Sequence, residues 1–187
     1  MSTLENRIAT ALVVIDMQNA VITDAQNVES VTKNISLLVE SARESKTPVI
    51  WVQHSDEELV FGSNEWEFVQ SLRPLETEPL IAKNHGDSFE ATELETVLAA
   101  AGVGHLAISG AESDACVRST IHGAFTRGYD VILVSDAHTC TDRTAWGAPE
   151  PASVIAHMNL YWQFQSAPGR TATVSKTAEV VFGSRRS

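Results

Sequence analysis

The sequence predicts an α/β protein, a three-layer α/β/α Rossmann-like fold around a central, mostly parallel sheet of about six strands. Three observations carry that expectation. The first apolar run, residues 11–15 (ALVVI), is continuous and rich in β-branched residues, the pattern of a strand covered on both faces. Runs of that kind alternate with segments whose apolar residues fall at helical spacing, and the helical segments end on breakers such as Thr47-Pro48, Gly102 and Gly128. Repeated strand-helix order implies right-handed crossovers, hence parallel strands with helices on both sides.

Asp16 ends the first strand, and Val28, Val31, Ile35, Leu38, Val39 and Ala42 then recur at helical spacing until Lys46-Thr47-Pro48 stops them. A second strand, 49–53, follows at once. Residues 54–79 form a long irregular segment with one short helix expected around 66–72; loops of this length are often functional. A third strand is expected at 80–82. Thr92-Glu93-Leu94-Glu95 has capping-box spacing for a helix carrying Leu94, Val97, Leu98 and Ala101, which Gly102 and Gly104 end. The fourth strand is 105–109, the next helix 116–127 with Gly128 as its C′ residue, and the fifth strand 131–134. A helix over about 151–164, a strand near 171–174 and a last turn at 177–182 complete the order. Neither an internal repeat nor a low-complexity linker interrupts it.

The chain has 187 residues, read as one domain over 1–187, with 43% hydrophobic and 20% charged residues and a net charge of -11. A chain this long buries roughly 70% of the surface its unfolded form exposes. No run of about 18 apolar residues spans a membrane. The acidic balance opposes a nucleic-acid partner, since phosphate binding needs clustered Lys and Arg, and Arg185 and Arg186 form only a local basic tail. The first residues lack a basic segment followed by an apolar one, so a cytoplasmic location is expected. Cys116 and Cys140 are then read as free thiols. The Asn34-Ile35-Ser36 sequon carries no meaning in that compartment.

Residues 106–119, LAISGAESDACVRS, carry the functional reading. An apolar strand runs into a turn that delivers Cys116 to the first turn of a helix, where partial positive charge and unpaired N–H groups can lower a thiol's pKa and hold an oxyanion. Ligands bind beyond the carboxyl ends of the strands in open parallel sheets. Asp16 ends the first strand, Lys83 ends the third, and Cys116 follows the fourth. They converge on one crevice if these strands are neighbours. Asp16 can then take the thiol proton as Cys116 attacks a carbonyl carbon and return it to a leaving amine, while Lys83 supports both anions. Singly, each has a bland reading: a turn Asp, a solvated Lys, a buried Cys.

Residues 11–18 (ALVVIDMQ), Ile81 to Lys83 with 84–89, and 109–117 (SGAESDACV) followed by Ser135-Asp136-Ala137 resemble the isochorismatase-like cysteine hydrolases, which include nicotinamidases and N-carbamoylsarcosine amidohydrolases. The resemblance covers residues 10–182. It implies a catalytic triad of Asp16, Lys83 and Cys116, a cis peptide between Ala111 and Glu112, and an oxyanion hole from the backbone N–H groups of Glu112 and Cys116. It also implies a homodimer or homotetramer. Val21 stands where Phe is usual, which widens the pocket, and Ser113 where Thr is usual, which keeps the hydroxyl.

Nicotinamidases resemble one another in an Asp-x-His pair with a further His that ligate a divalent ion in the loop after the second strand. Here that loop offers His54-Ser55-Asp56, the reverse order, and no other His before His85, so no metal and no other cofactor is expected. Gln18, His54, His85, Trp146 and His157 are candidate substrate-binding residues; core packing is the alternative for Trp146, capping of the strand end for His54, and a loop hydrogen bond for His85. Trp51, Trp162 and Phe164 are expected in the core or an interface, and Cys140 is read as a bystander. The resulting expectation is a metal-independent hydrolase of a small amide, ureido or carbamoyl C–N bond, acting on a small-molecule substrate with no nucleic-acid or membrane partner. The alternatives are an isochorismatase-type vinyl-ether hydrolase, which needs an acid but no nucleophile, and a noncatalytic ligand-binding or redox-sensing protein of the same fold.

Overall fold

Strand β1 (Ala9–Ile15) is buried along its last five residues because its side chains serve two cores. Ala11, Val13 and Ile15 point to one and Leu12 and Val14 to the other, as the two-residue period of a strand requires. In this computed structural model residues 2–183 are described; Arg185 and Arg186 lie outside them. After β1 come α1 (Asn19–Ile22), α2 (Val28–Glu44), β2 (Val49–His54), β3 (Leu80–Lys83), α3 (Leu94–Ala100), β4 (Val103–Ala111), α4 (Cys116–Arg127), β5 (Asp130–Thr139), α5 (Pro151–Gln163), β6 (Ser166–Ala167) and β7 (Arg170–Ser175). The sheet has seven strands in the order β3-β2-β1-β4-β5-β7-β6. Six are parallel, and the two-residue β6, invisible to apolar patterning, pairs antiparallel with β7 at the edge.

Residues of α3, α4 and α5 fill the first core: Leu94 and Leu98, Val117, Ile121 and Phe125, Met158 and Trp162. The second core is closed by Val31, Ile35, Leu38 and Val39 of α2 with Phe182 from the C-terminal segment. Three layers result. The chain goes from β1 to β2 on one side and later returns to β4 on the other, so the strand order reverses at β1 and opens a crevice above the β1 and β4 carboxyl ends.

Two local expectations fail for identifiable reasons. Residues 66–72 form turns rather than a helix, because their backbone is spent elsewhere: Glu65 and Glu67 carbonyls accept from Ala20 and Asn19, and Val69 N–H donates to the Met17 carbonyl. The capping box at Thr92 does not close either. Thr92 Oγ1 accepts from Leu94 N–H, but Glu95 turns to Arg7 (2.7 Å) and the Tyr129 hydroxyl (2.7 Å), so α3 begins at Leu94 with no side-chain cap.

Strand β5 runs five residues past its expected end at Val134. Its register against β4 jumps from Ile108 opposite Leu133 to Gly110 opposite His138, so residues 134–137 of the strand have no partner residue on β4, a bulge between the two pairings. Gly110 has φ +116, and a Cβ there would lie 2.1 Å from the Ile15 carbonyl oxygen. Gly110→Ala is therefore expected to destabilise the fold by at least about 2 kcal/mol, through both overpacking and strain at positive φ. Urea unfolding should show a lower midpoint at unchanged slope, and an unchanged midpoint would refute the close approach.

Candidate active site

Asp16 leaves β1 with φ 48, in the left-handed region that Asp tolerates better than most residues, and this turns its carboxylate into the crevice. Lys83, the last residue of β3, comes from farther away. Strand β3 is not a neighbour of β1, contrary to the condition set by the sequence reading, because β2 lies between them. Two strand spacings of about 4.8 Å separate them, and the four-carbon lysine stem closes the gap over the end of β2. Its Nζ lies 2.7 Å from Asp16 Oδ2, with the two side chains 0% and 2% exposed.

The same ammonium makes two further contacts, to Cys116 Sγ at 3.2 Å and to His54 Nδ1 at 3.2 Å. An ammonium has three donors, and here each has an acceptor. Because Nδ1 accepts, Nε2 of His54 carries the proton and donates to Asp56 Oδ2 at 3.1 Å. His54 thus joins the site by orienting Lys83 as well as lining the mouth. Asp16 Oδ1 is buried and meets no hydrogen-bond partner among the described residues, which leaves an acceptor free.

Cys116 is the first residue of α4, but the helix terminus does not set its pKa. Burial chiefly, with the negative charge of Asp16, pushes the thiol up to about 12 despite the opposing charge of Lys83. At neutral pH Cys116 is therefore a thiol rather than a thiolate, with Lys83 Nζ directed at its sulfur. Burial likewise raises the Asp16 carboxyl above the usual carboxylate range, against the lowering effect of Lys83. A raised carboxyl pKa suits a group that must take a proton and give it back.

The Ala111-Glu112 peptide is cis. In the turn that follows, the Glu112 carbonyl accepts from Ala115 and Val117 N–H, and Ser113 N–H donates to the Thr139 carbonyl at 2.8 Å. The N–H groups of Glu112 and Cys116 have no backbone acceptor among the described residues. The Asp114 N–H between them is likewise without an acceptor among the described residues.

A cavity of about 360 Å³ forms the mouth, lined by residues that include Val21, His54, Asp56, Leu59, Glu112 and Arg143. The loops after β2 and β5 both contribute to it. Arg143 pairs with Glu112 and, at 3.5 Å, with Asp114, and Thr141 N–H donates to Glu112 Oε1. Neither the Glu112 carboxylate nor Arg143 was evident as a pocket residue, since their pairing needs the 31-residue return from β4 to the loop after β5. His54 and Asp56 pair with each other, and no third His, Cys, Asp or Glu joins them at ligand distance among the described residues. The residues present do not fit the three-ligand divalent site of nicotinamidases.

Four sequence candidates do not line that cavity. Gln18 is wholly buried and fully used: its amide donates to the His54 and Trp66 carbonyls, and its oxygen accepts from His54 N–H, so it ties β1 to the mouth loop. His85 is exposed and absent from the cavity wall, because the turn after Lys83 carries it outward. Trp146 is 82% exposed, neither in the core nor in the pocket, because the 3-10 turn Thr144–Trp146 starts from an Arg143 held against Glu112 and swings the indole to solvent. His157 lines a separate cavity of about 540 Å³ between α4 and α5, with Arg118, His122 and Tyr161. Trp51 and Trp162 are fully buried, whereas Phe164 is mostly exposed; Cys140 is buried, and both cysteines are free.

Comparison with known proteins is consistent along the chain. The family described as Isochorismatase domain matches residues 10–159. An uncharacterized isochorismatase family protein of Bacillus subtilis (strain 168), YddQ, is 31% identical over 179 residues, covering 91% of this chain and 97% of that protein. Streptothricin hydrolase of Streptomyces noursei is 32% identical over 141 residues, 71% of this chain but 55% of that longer protein. Among solved structures, N-carbamoylsarcosine amidase from Thermoplasma acidophilum superposes with a TM-score of 0.74 at 25% identity, covering 92% of this chain and 98% of that one.

Proposed function

The chain belongs to the isochorismatase family, and on that premise we propose that this hydrolase cleaves a C–N bond of a small amide, ureido or carbamoyl compound through a covalent acyl-enzyme on Cys116. The single observation that carries the reading is the buried ammonium of Lys83, held at once by Asp16 and by Cys116 Sγ. A lysine with these two partners has little purpose in packing. It makes sense where a proton must move between a thiol and a carboxylate while their charges stay balanced.

As Sγ attacks the carbonyl carbon, the C–S bond forms, the thiol proton passes to Asp16, and the C=O π pair moves onto oxygen. The N–H groups of Glu112 and Cys116 receive that oxyanion. Collapse breaks the C–N bond, and Asp16 returns the proton to the leaving nitrogen. Water then attacks the thioester, Asp16 takes one of its protons, and Cys116 departs with that proton as a thiol. Lys83 balances the charge at each stage and, through His54 and Asp56, keeps its direction. The streptothricin hydrolase and N-carbamoylsarcosine amidase similarities support hydrolysis at a carbonyl bound to nitrogen. We place the reaction in the cytoplasm and in a homodimer or homotetramer.

The test is mass spectrometry of the intact chain after brief incubation with a library of small amides and ureides. A productive member should add the mass of its acyl group to the peptide bearing Cys116 and release the amine. Absence of both adduct and product with every member, across the pH range, would sink the proposal.

A further inference from the structure

Behind the oxyanion turn lies a second chain of polar groups that the reaction does not touch. Ser113 Oγ is 2.7 Å from His138 Nδ1, His138 Nε2 is 3.0 Å from Asn159 Oδ1, and Asn159 Nδ2 donates to the Ser135 carbonyl at 3.1 Å. Ser113 and His138 are 0% and 1% exposed, and Asn159 is half-buried on α5. The Ser135 carbonyl can only accept, which fixes every donor in turn. Asn159 must present its oxygen to His138, so Nε2 is protonated, Nδ1 accepts, and Ser113 must donate its hydroxyl proton. Burial holds His138 below its ordinary pKa, in keeping with a neutral ring that accepts at Nδ1.

We infer that Ser113, His138 and Asn159 form a one-directional positioning relay that clamps the oxyanion turn to β5 and α5, a role that rests on the hydrolytic reading above. Ser113 is anchored twice, by its N–H to the Thr139 carbonyl and by its hydroxyl to His138. On either side of that anchor lie Glu112 and the nucleophile three positions on, whose N–H groups have no acceptor among the described residues. The irregular register between β4 and β5 leaves Ser135 and His138 both within reach of the Asn159 amide. None of the three touches the reacting atoms; they act through the turn.

Two reagents separate this role from simple packing. Propionaldehyde adds reversibly to a thiol: the C–S bond forms, the C=O π pair moves to oxygen, and the thiol proton, carried by Asp16, ends on that oxygen in a hemithioacetal. Its oxygen occupies the position of the tetrahedral intermediate's. Iodoacetamide alkylates Cys116 by displacing iodide and needs no oxyanion support. Ser113→Ala should weaken propionaldehyde binding and lower kcat on the best amide about tenfold or more, with KM held within about threefold. The iodoacetamide rate should stay within about twofold, and Ser113→Thr, which keeps the hydroxyl, should restore the aldehyde affinity. Asn159→Ala, at the exposed end of the relay, should show a smaller loss in the same direction and serves if Ser113→Ala fails to fold. Unchanged aldehyde affinity in the folded variants, an equal slowing of alkylation, or no addition of propionaldehyde to wild-type Cys116 would overturn the relay. Wild-type protein that binds the aldehyde in a Ser113-dependent way but cleaves no amide would instead overturn the hydrolytic reading alone.

Discussion

Cys116→Ala is expected to abolish turnover, a loss of about 10⁴-fold or more in kcat, while leaving the fold intact. In the proposed reaction the sulfur is the atom that bonds to the substrate, and no neighbouring group can replace it: Asp16 and Lys83 are committed to each other, and His54 to Lys83 and Asp56. Little stability should be lost, because Cys116 is only partly buried and packs at the margin of the core. Steady-state kinetics with thermal unfolding as a control makes the check. The outcome also discriminates between chemistries. Vinyl-ether hydrolysis requires an acid such as Asp16 but no nucleophile, so a Cys116→Ala variant that retained activity would favour that route. A redox-sensing role predicts easy oxidation of Cys116, and a thiol pushed up to about 12 is poorly suited to it.

Asp16→Asn is expected to lose activity by about 10²- to 10⁴-fold, the range for removing a positioned general base. Here it should also destabilise the protein. Lys83, 0% exposed, would keep a positive charge with no counter-charge, and breaking a buried pair by removing one partner costs about 3–5 kcal/mol. The double variant Asp16→Asn with Lys83→Met should recover much of that stability and none of the activity. Denaturant titration and initial rates on the same samples separate the two effects. The wild-type pH profile adds a signed check. Burial raises the Asp16 pKa, so the base form is lost as pH falls through a value above the usual carboxylate range, and the acid limb of kcat/KM should lie higher than for an exposed Asp. An acid limb at or below the ordinary value would contradict Asp16 as the buried base.

The parts of this fold that follow from local physics were legible in the sequence. Residues 11–15 sit inside β1, the helix at 116–127 has the bounds expected of it, and Gly128 ends it in the left-handed conformation. Asp16, Lys83 and Cys116 stood out because each follows a strand on the edge of the crevice. What stayed hidden was whatever depended on contacts between distant segments. The turns at 66–72 lose their helix to backbone partners on the β1–α1 connection, and Gln18 is consumed by the same contacts. A helix terminus is visible in sequence, whereas the loss of hydration and the neighbouring Asp16 charge that push the thiol's pKa up are not. Ser113, His138 and Asn159 carry no spacing signal, since a displaced strand register brings them together.

The reach of Lys83 across β2 bears on the architecture as much as on the chemistry. Strand β3 has only four residues and lies at the rim of the sheet, where Leu80 is half exposed and no strand among the described residues pairs with its outer side. The Lys83 to Asp16 bond fastens that rim to the end of β1, two strands in, passing over β2 like a clasp. The charge that serves the thiol is thus also a fastening. Fraying of β3 would withdraw the ammonium before any of the deeper strands moved, so the enzyme's competence is set by the integrity of its least protected edge.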